Sequence, residues 1–307
     1  MANSQFRRQP YTPDRIFRRA NRTDSHLGLM AMLSEAFPEA KRSDIKGWLK
    51  HGQVRLRGRI TSQFDEPVAP GEEVEVNVTR SFPVLNHPRL HIVYEDDDII
   101  VVNKGYGVLS VGTGSSKKET TAYDILKKYV KEQNPANKIF VVHRLDRATS
   151  GLMMFAKSME AQEAMQHNWN NMVLARDYVA VVEGVMEEDS GVIRSNLEET
   201  SQFEVYSTHV AGAGRQAVTR YKVLARGQGR TLVQFTLDTG RKNQIRVHAR
   251  DLGHPIIGDR KYGAKSSPIG RIALHARTLR FAHPITRKDM NFQLPVPARF
   301  MTAMGKG

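Results

Sequence analysis

Residues 141–151 read VVHRLDRATSG, an apolar start followed by an acid between two arginines and a turn-forming end. The first residues are typical of a strand, and the Thr-Ser-Gly end is typical of a tight turn. A carboxylate between cations stays ionised, so Asp146 is a candidate nucleophile. Alternatively, Asp146 accepts hydrogen bonds from Thr149 and Ser150 and only stabilises the turn, and the residues alone favour this simpler role.

Two further polar segments follow along the chain. Tyr178 lies in the strand-like run 176–184, where alternation places it on the same face as Ala180 and Val182. A tyrosine there either belongs to the core or lines a pocket, where its ring can stack on a base and its hydroxyl can move a proton. Residues 239–248 (TGRKNQIRVH) predict a short basic helix with Arg246 and Arg250 on one face. Alone, this helix indicates phosphate or carboxylate binding.

Strands dominate the chain around these segments, which predicts an α+β fold with a mixed, largely antiparallel sheet. Helical periodicity occurs at residues 121–130 and 158–172. Strand patterns are more numerous and occur at residues 91–94, 99–102, 151–156, 178–183, 216–223 and 231–237.

Two loop sequences resemble ligand sites, but neither pattern is complete. Residues 95–98 place four carboxylates in a row, yet a hairpin turn needs polar residues there and nothing nearby in the sequence completes a ligand set. A magnesium-dependent nuclease built on residues 96–98 is therefore a minor alternative. The glycines at 105, 107, 112 and 114 lack the Gly-Lys-Ser/Thr ending of a phosphate-binding loop, so no nucleotide cofactor is expected.

The first fifth of the chain is strongly basic and precedes the segments described above. Residues 1–20 contain prolines and arginines without an apolar period, which predicts a flexible basic arm. Residues 21–80 predict a small α/β module, with one helix from about Asn21, a second from near Ser43 to Gly52, and a hairpin after it. Residues 81–89 predict a linker, because they include two prolines, and residues 90–307 predict a second domain.

The composition indicates a two-domain protein that meets a polyanion. The chain has 307 residues, and 46 Lys and Arg against 32 Asp and Glu give a net charge of +14, so nucleic acid is the expected partner. The absence of cysteine excludes disulfides and thiolate chemistry, and the histidines lack zinc-site spacing, so no metal is expected. No apolar run is long enough to span a membrane, so we expect a soluble, cytoplasmic protein.

The sequence from Arg42 to Val76 resembles the S4 RNA-binding domain. Its pattern RSDIxxxLxxGxVxxxG and its closing PGEEVEV place a helix, a glycine and a hairpin in the order and spacing of that domain. The resemblance implies RNA contacts by the basic helix and the hairpin, at Lys46, Lys50, Arg55 and Arg57. Alternatively, these residues are the solvated charges of an unrelated small module.

The remainder of the chain, from about Leu90 to Pro297, resembles the RluA-type pseudouridine synthases. The resemblance rests on several motifs in one order, because chance agreement of a whole series is far less plausible than one lone match. These are RLDxxTSG at 144–151, Tyr178 before AVxEG at 180–184, GRxxQIRVH at 240–248, GHPIxGDxxYG at 253–263, LHA at 274–276 and HP at 283–284.

The resemblance implies an RNA pseudouridine synthase that needs no metal or cofactor. It identifies Asp146 as the residue that attacks the nucleoside covalently, Arg246 as the arginine that pairs with this acid, and Tyr178 as the ring that stacks on the flipped base. We expect Arg144 and Arg241, which adjoin these residues, to bind the RNA. The expected substrate is large-subunit ribosomal RNA and the expected state is a monomer, with transfer RNA as the alternative substrate and a non-catalytic RNA-binding or ribosome-assembly factor as the alternative function.

Three positions depart from the family pattern beside the predicted pocket. The family's KPxG is Lys104-Gly105-Tyr106-Gly107 here, the usual Thr-His after Gly-Arg is Lys242-Asn243, and the common lysine two residues before the tyrosine is Arg176. None of these changes removes a predicted catalytic group. We expect them to alter contacts with RNA rather than the reaction.

Overall fold

The structure is a computed structural model that describes residues 16–112, 119–208, 210 and 212–305. The chain divides into two units. The first contains the residues up to Val84 together with Tyr94–Asp96 and Lys127–Lys138, and the second contains Leu85–Val93, Asp97–Leu126 and Ile139–Gly307. These boundaries differ from the predicted ones, which placed a linker at 81–89.

The first unit is a small sheet covered by two helices. Its strands β1, β6, β3 and β4 pair in that order, and β2 pairs with β5 separately. The helices bury Leu29, Leu33, Ile45 and Leu49 against the apolar face of the sheet. Its elements are β1 (Ile16–Ala20), β2 (Leu27–Gly28), α1 (Leu29–Ala36), α2 (Arg42–Lys50), β3 (Val54–Leu56), β4 (Arg59–Ile60), β5 (Pro67–Val68) and β6 (Glu73–Asn77).

Two sequence predictions for the start of this unit were wrong. The predicted arm of residues 1–20 overlaps β1, which pairs along its whole length with β6, so residues 16–20 are a strand; residues 1–15 lie outside the described part of the chain. The first helix begins at Leu29 rather than near Asn21. The buried Asn21 side chain donates to the carbonyls of Ser25 and Val68 and holds this stretch in a turn.

Residues 81–84 of the predicted linker and parts of the predicted second domain, residues 94–96 and 127–138, also belong to the first unit. Phe82 is buried there, with the guanidinium of Arg55 4.1 Å above the centre of its ring. Glu95 accepts hydrogen bonds from the side chains of Tyr129 and Gln133, at 2.7 and 3.1 Å. These contacts are long-range in sequence, which explains why local patterns placed the boundary elsewhere.

Most of the remaining elements form the second unit, while β7 and α3 begin in it and end in the first. They are β7 (Leu90–Glu95), β8 (Ile99–Lys104), α3 (Ala122–Gln133), β9 (Phe140–Val141), β10 (Ser150–Ala156), α4 (Met159–His167), α5 (Trp169–Met172), β11 (Val173–Glu183), β12 (Ser190–Glu199), β13 (Val205–Thr208), β14 (Arg215–Gly227), β15 (Arg230–Leu237), α6 (Gln244–Asp251), a 3-10 helix (Arg260–Tyr262), β16 (Leu274–Ala282), β17 (Asp289–Gln293) and α7 (Ala298–Ala303).

The second unit is built on one large mixed sheet. Its strands follow the order β13-β12-β14-β15-β11-β16-β10-β8-β7, with β17 added to β16 and β9 added to β10. The pairing of β10 with β16 is parallel, whereas β11 pairs antiparallel with both β15 and β16. This arrangement confirms the predicted α+β fold with a largely antiparallel sheet. It also brings the end of the Arg144–Gly151 motif beside Leu274–Ala276.

Gly151 allows this parallel pairing to form. Its φ is +116°, which favours glycine, and a side chain at this position would lie 2.1 Å from the carbonyl oxygen of Ala276. The glycine that ends the turn motif is therefore required by the close approach of β10 to β16.

The central strands of this sheet are apolar on both faces. Residues 179–182 of β11 are completely buried, in a cluster that includes Phe235, Ile245 and Phe300 from neighbouring elements. Within the described residues, no helix has both the length and the apolar character needed to cross a membrane.

Two buried histidines are expected to make the fold sensitive to acid. His248 and His275 are 0% and 5% exposed, and burial lowers the pKa of each to about 4. Unfolded histidines bind a proton near pH 6.5, so between pH 6.5 and 4 the unfolded state holds more protons and stability falls as the pH falls. Each histidine is expected to remove about 2 kcal/mol of stability between pH 7 and pH 5.

Urea unfolding at pH 7 and pH 5 checks this expectation. His248→Asn should reduce the pH dependence of the unfolding free energy by about 2 kcal/mol, whereas the same change at the exposed His167 should leave it unaltered. An identical pH dependence in His248→Asn and the unsubstituted protein would contradict the assignment.

Candidate active site

The turn after Asp146 is closed by the backbone, which leaves its carboxylate free of the turn. The Thr149 N–H donates to the carbonyl of Asp146 at 3.0 Å. The Ser150 hydroxyl instead contacts His275 and Arg271, at 2.9 and 2.7 Å. Among the described residues, no side chain of the turn bonds to the Asp146 carboxylate, whose one ion pair is with Arg246. This geometry argues against the simpler role, in which Asp146 only stabilises the turn.

The residues on either side of Asp146 are held by the preceding glycine-containing loop. The Ser110 hydroxyl donates to the carbonyl of Leu145 at 2.6 Å and accepts from its N–H at 3.1 Å. The Gly107 N–H donates to the carbonyl of Arg147 at 2.9 Å. With both neighbours fixed through their backbones, the carboxylate between them has a defined position.

Lys104 holds that loop through a hydrogen bond to the loop backbone, and no role was assigned to it from the sequence. It is fully buried, and its ammonium donates to the carbonyl of Val108 at 2.8 Å. Burial lowers its pKa to about 8, against the opposing attraction of Asp146. In the sequence, Lys104 is visible as a lysine at the end of an apolar strand. Such a lysine is usually an ordinary surface residue, so this pattern alone does not indicate a buried position.

Tyr178 reaches the site from β11. It is partly buried, and it lines the same cavity as Asp146. Burial raises its pKa to about 12, with Arg176 opposing this shift and Asp146 adding to it. At neutral pH the phenol therefore carries its proton and is suited to donate a hydrogen bond.

Arg246, on α6, is held mainly by an acid that the sequence analysis did not assign. Its Nε and Nη2 donate to the two carboxylate oxygens of Asp259 at 2.6 and 2.8 Å, while its Nη1 lies 3.8 Å from Asp146 Oδ2. The predicted pairing with Asp146 is thus present as a longer contact. Burial lowers the Arg246 pKa, but the hydrogen bond and charge of Asp259, aided by Asp146, leave it raised overall.

The surroundings of Arg246 fix its guanidinium further. The Asn243 side-chain oxygen accepts from Nη1 at 3.1 Å, and its amide donates to the Tyr262 hydroxyl at 2.9 Å. The Tyr262 ring lies 4.7 Å from the guanidinium carbon. Asp259 is 1% exposed. Among the described residues its one ion pair is with Arg246, which therefore balances its charge. Arg246 is therefore pre-oriented toward Asp146.

These groups open onto one cavity of about 430 Å³, a volume suited to a nucleoside. The five predicted residues of the second unit all line it, namely Arg144, Asp146, Tyr178, Arg241 and Arg246. Trp169 and Gln244 also line it and were not assigned from sequence, and Arg176, which the sequence placed beside the pocket, lines it as well. The cavity thus combines two acids, Asp146 and Asp238, with a phenol and several guanidinium groups, and Asp238 is paired with Arg220.

The four candidate RNA contacts of the first unit differ in availability. Lys46 and Lys50 are exposed one turn apart on α2. Arg57 instead donates to Glu72 and Glu66, at 2.7 and 3.1 Å, and Arg55 stacks on Phe82 with its Nε buried and unbonded. Arg55 and Arg57 are therefore engaged within the unit, which a charge pattern alone does not reveal.

The acidic turn at residues 95–98 has structural partners. Glu95 accepts from Tyr129, as described above, and Asp96 accepts from the Tyr94 hydroxyl at 2.7 Å. These bonds give two of the four carboxylates a role in local structure.

The fold and this cavity define a class of RNA-modifying enzyme. The family model described as RNA pseudouridylate synthase matches residues 98–251. The chain belongs to this family and is an RNA pseudouridine synthase, which confirms the resemblance found in the sequence.

Individual relatives agree over most of the chain. The ribosomal large subunit pseudouridine synthase D of Haemophilus influenzae is 35% identical, over 88% of this chain and 87% of its own length. The Escherichia coli protein of the same name is 33% identical, over 86% of each. The solved structure of human RNA pseudouridylate synthase domain containing 1 is 27% identical, with a TM-score of 0.55, and covers 68% of this chain and 84% of its own.

Proposed function

We propose that this enzyme converts specific uridines of large-subunit ribosomal RNA to pseudouridine, with Asp146 as the nucleophile. The observation that carries the proposal is the Asp146 carboxylate, which faces a nucleoside-sized cavity between Tyr178 and Arg246 and takes no part in its own turn. The choice of RNA is supported by the relatives, which are named for the large ribosomal subunit. The net charge of +14 suits a large, structured polyanion.

The reaction balances without a cofactor. The bond between N1 and the ribose C1′ breaks, a bond between C1′ and C5 forms, C5 loses a proton and N1 gains one, so there is no net redox change. A covalent bond from the Asp146 carboxylate to the substrate would hold the two fragments while the uracil turns over. Extruding the nucleotide from the RNA costs a few kcal/mol, which the basic surface offsets.

We assign Tyr178 to holding the base and Arg246 to holding the nucleophile in the same step. The Tyr178 ring would stack on the flipped base, and its protonated hydroxyl would donate toward the nucleoside. Arg246, anchored by Asp259, would hold the Asp146 carboxylate in its attacking orientation. Arg144 and Arg241, both exposed at the cavity, would contact the RNA backbone. We also propose that the enzyme is a monomer and that it acts in the cytoplasm, where the ribosomal RNA of its bacterial relatives is found.

We further propose that the first unit is an S4-type RNA-binding domain that uses α2. The double variant Lys46→Ala/Lys50→Ala is expected to weaken RNA binding about tenfold at 0.1 M salt and to reduce the salt dependence by about one to two counterions. Arg57→Ala should change RNA affinity little, because two carboxylates already balance its charge. Filter-binding titrations at several salt concentrations measure both. Equal losses in the two variants would contradict this use of the helix.

Pseudouridine mapping on purified RNA tests the choice of substrate. The protein is incubated with unmodified large-subunit ribosomal RNA, small-subunit ribosomal RNA and transfer RNA, without additives. We expect new pseudouridines in the large-subunit RNA. Modification of transfer RNA alone would identify transfer RNA as the substrate instead. Binding without any modification would favour a non-catalytic RNA-binding factor.

A further inference from the structure

Arg176 faces the cavity without a carboxylate partner. It lies two residues before Tyr178 on β11 and lines the same cavity. Among the described residues it forms no ion pair within 4.0 Å, and its one hydrogen bond is from Nη2 to the carbonyl of Leu237 at 3.3 Å. Arg246, in the same cavity, is by contrast paired with Asp259 and also contacts Asp146.

The surroundings of Arg176 make this unpaired charge costly. The side chain is partly buried, and this burial lowers the pKa of its guanidinium despite the opposing effects of Tyr178 and Asp238. The centre of the Trp169 ring lies 5.7 Å from the guanidinium carbon. Asp238, whose charge acts on Arg176, forms its ion pair with Arg220. A desolvated cation without an ion-pair partner is unfavourable, so the site is stabilised when an anion enters.

A neighbouring glycine leaves room for the Arg176 side chain. Gly240 lies so close that a Cβ there would be 2.6 Å from Arg176 Nη1. A larger residue would require the guanidinium to shift, so the glycine before Arg241 leaves room for Arg176 in its observed position at the cavity wall. This close approach, together with the Trp169 contact, indicates a built position rather than a loosely placed surface arginine.

We propose that Arg176 binds a backbone phosphate next to the target uridine. This inference rests on the proposed function and adds a contact that positions the RNA strand in the cavity. RNA supplies a phosphate on either side of every nucleotide, whereas uracil offers only neutral acceptors. A guanidinium can bind two phosphate oxygens at once, and the cavity position of Arg176 places this contact beside Asp146 and Tyr178 rather than on the outer surface.

Neutral linkages in the RNA locate the contact. A short RNA that contains one target uridine is synthesised in several versions. Each version carries a methylphosphonate, which lacks the phosphate charge, at a different linkage. Affinity is measured by filter binding and turnover by pseudouridine formation under single-turnover conditions. Arg280→Ala is the matched control, because Arg280 is an exposed arginine paired with Asp289, outside the cavity.

Arg176→Ala is expected to weaken binding about tenfold, with a smaller effect on the maximal rate. One linkage beside the target should lose its sensitivity to methylphosphonate in this variant, while all other linkages keep theirs. Arg176→Lys, which retains the charge and the fold, should recover part of the affinity.

Two outcomes overturn the inference. In the first, the affinity loss caused by the methylphosphonate multiplies with the loss caused by Arg176→Ala at every linkage, so that no linkage is coupled to Arg176. In the second, Arg176→Ala is still folded by its melting curve and binds RNA as Arg280→Ala does. Turnover of the unmodified RNA by the unsubstituted protein is read separately. A failure there refutes the proposed function, whereas the binding measurements alone decide the role of Arg176.

Discussion

Asp146→Asn is expected to abolish pseudouridine formation while the protein still folds and binds RNA. Asparagine has nearly the same shape but cannot form the covalent bond, so we expect a loss of at least about 10⁴-fold in the single-turnover rate. The carboxylate is 27% exposed and accepts no hydrogen bond from its turn, so its removal should change stability by less than about 1 kcal/mol.

The control for this variant is Asp177→Asn. Asp177 neighbours Tyr178 on β11 but bonds to Thr236 and does not line the cavity, and asparagine can keep that bond. The assay maps pseudouridine in RNA after incubation with each variant, alongside melting curves and filter binding. Normal turnover by Asp146→Asn would exclude the nucleophile assigned here.

Arg246→Ala is expected to cause the largest loss of stability. It leaves the Asp259 carboxylate, 1% exposed, without its cation, and breaking a buried ion pair costs about 3–5 kcal/mol. The double variant Arg246→Ala/Asp259→Ala removes both charges and should regain part of that stability. Urea unfolding of the two single variants and the double variant gives the coupling between these residues.

Activity separates the two roles of Arg246. Because Arg246 also orients Asp146, the double variant should remain inactive even where its stability has recovered. If activity returned together with stability, Arg246 would act only as a structural ion-pair partner. Additive stability losses in the cycle would show that the Asp259 contact contributes little.

The residues of the proposed catalytic set could be singled out from the sequence because each lies in a distinctive local pattern. Asp146 precedes a Thr-Ser-Gly turn, Tyr178 lies in an apolar strand, and Arg246 lies on a short basic helix. Their meeting in one cavity follows from the sheet, where β11 lies next to β16 and β16 next to β10. No local pattern gives that strand order, so the family resemblance was needed to connect the three.

The partners of these residues could not be predicted in the same way. Asp259 lies in a motif that the sequence analysis quoted, but nothing local shows that this acid, rather than Asp146, makes the short contact with Arg246. The engagement of Arg57 by Glu66 and Glu72 is likewise a tertiary contact. Charge patterns indicate which residues are polar, and only the fold determines their partners.

Several strands were also missed, for a physical reason. The strand β12 alternates between exposed and partly buried positions and includes Ser190, Gly191 and Ser195, so its composition resembles a loop. It is held mainly by backbone pairing with β14 and β13. The predicted helix at 158–172 is interrupted at Asn168, where α4 ends and α5 begins.

The release of the uracil C5 hydrogen tests the central claim most directly. RNA with tritium at C5 of uridine is mixed with excess enzyme in buffer that contains a metal chelator, and tritium in water is counted over time. The unsubstituted protein is predicted to release one tritium per target uridine, and Asp146→Asn none. Release by Asp146→Asn at the normal rate, or no release by the unsubstituted protein from RNA that it binds, would contradict the account.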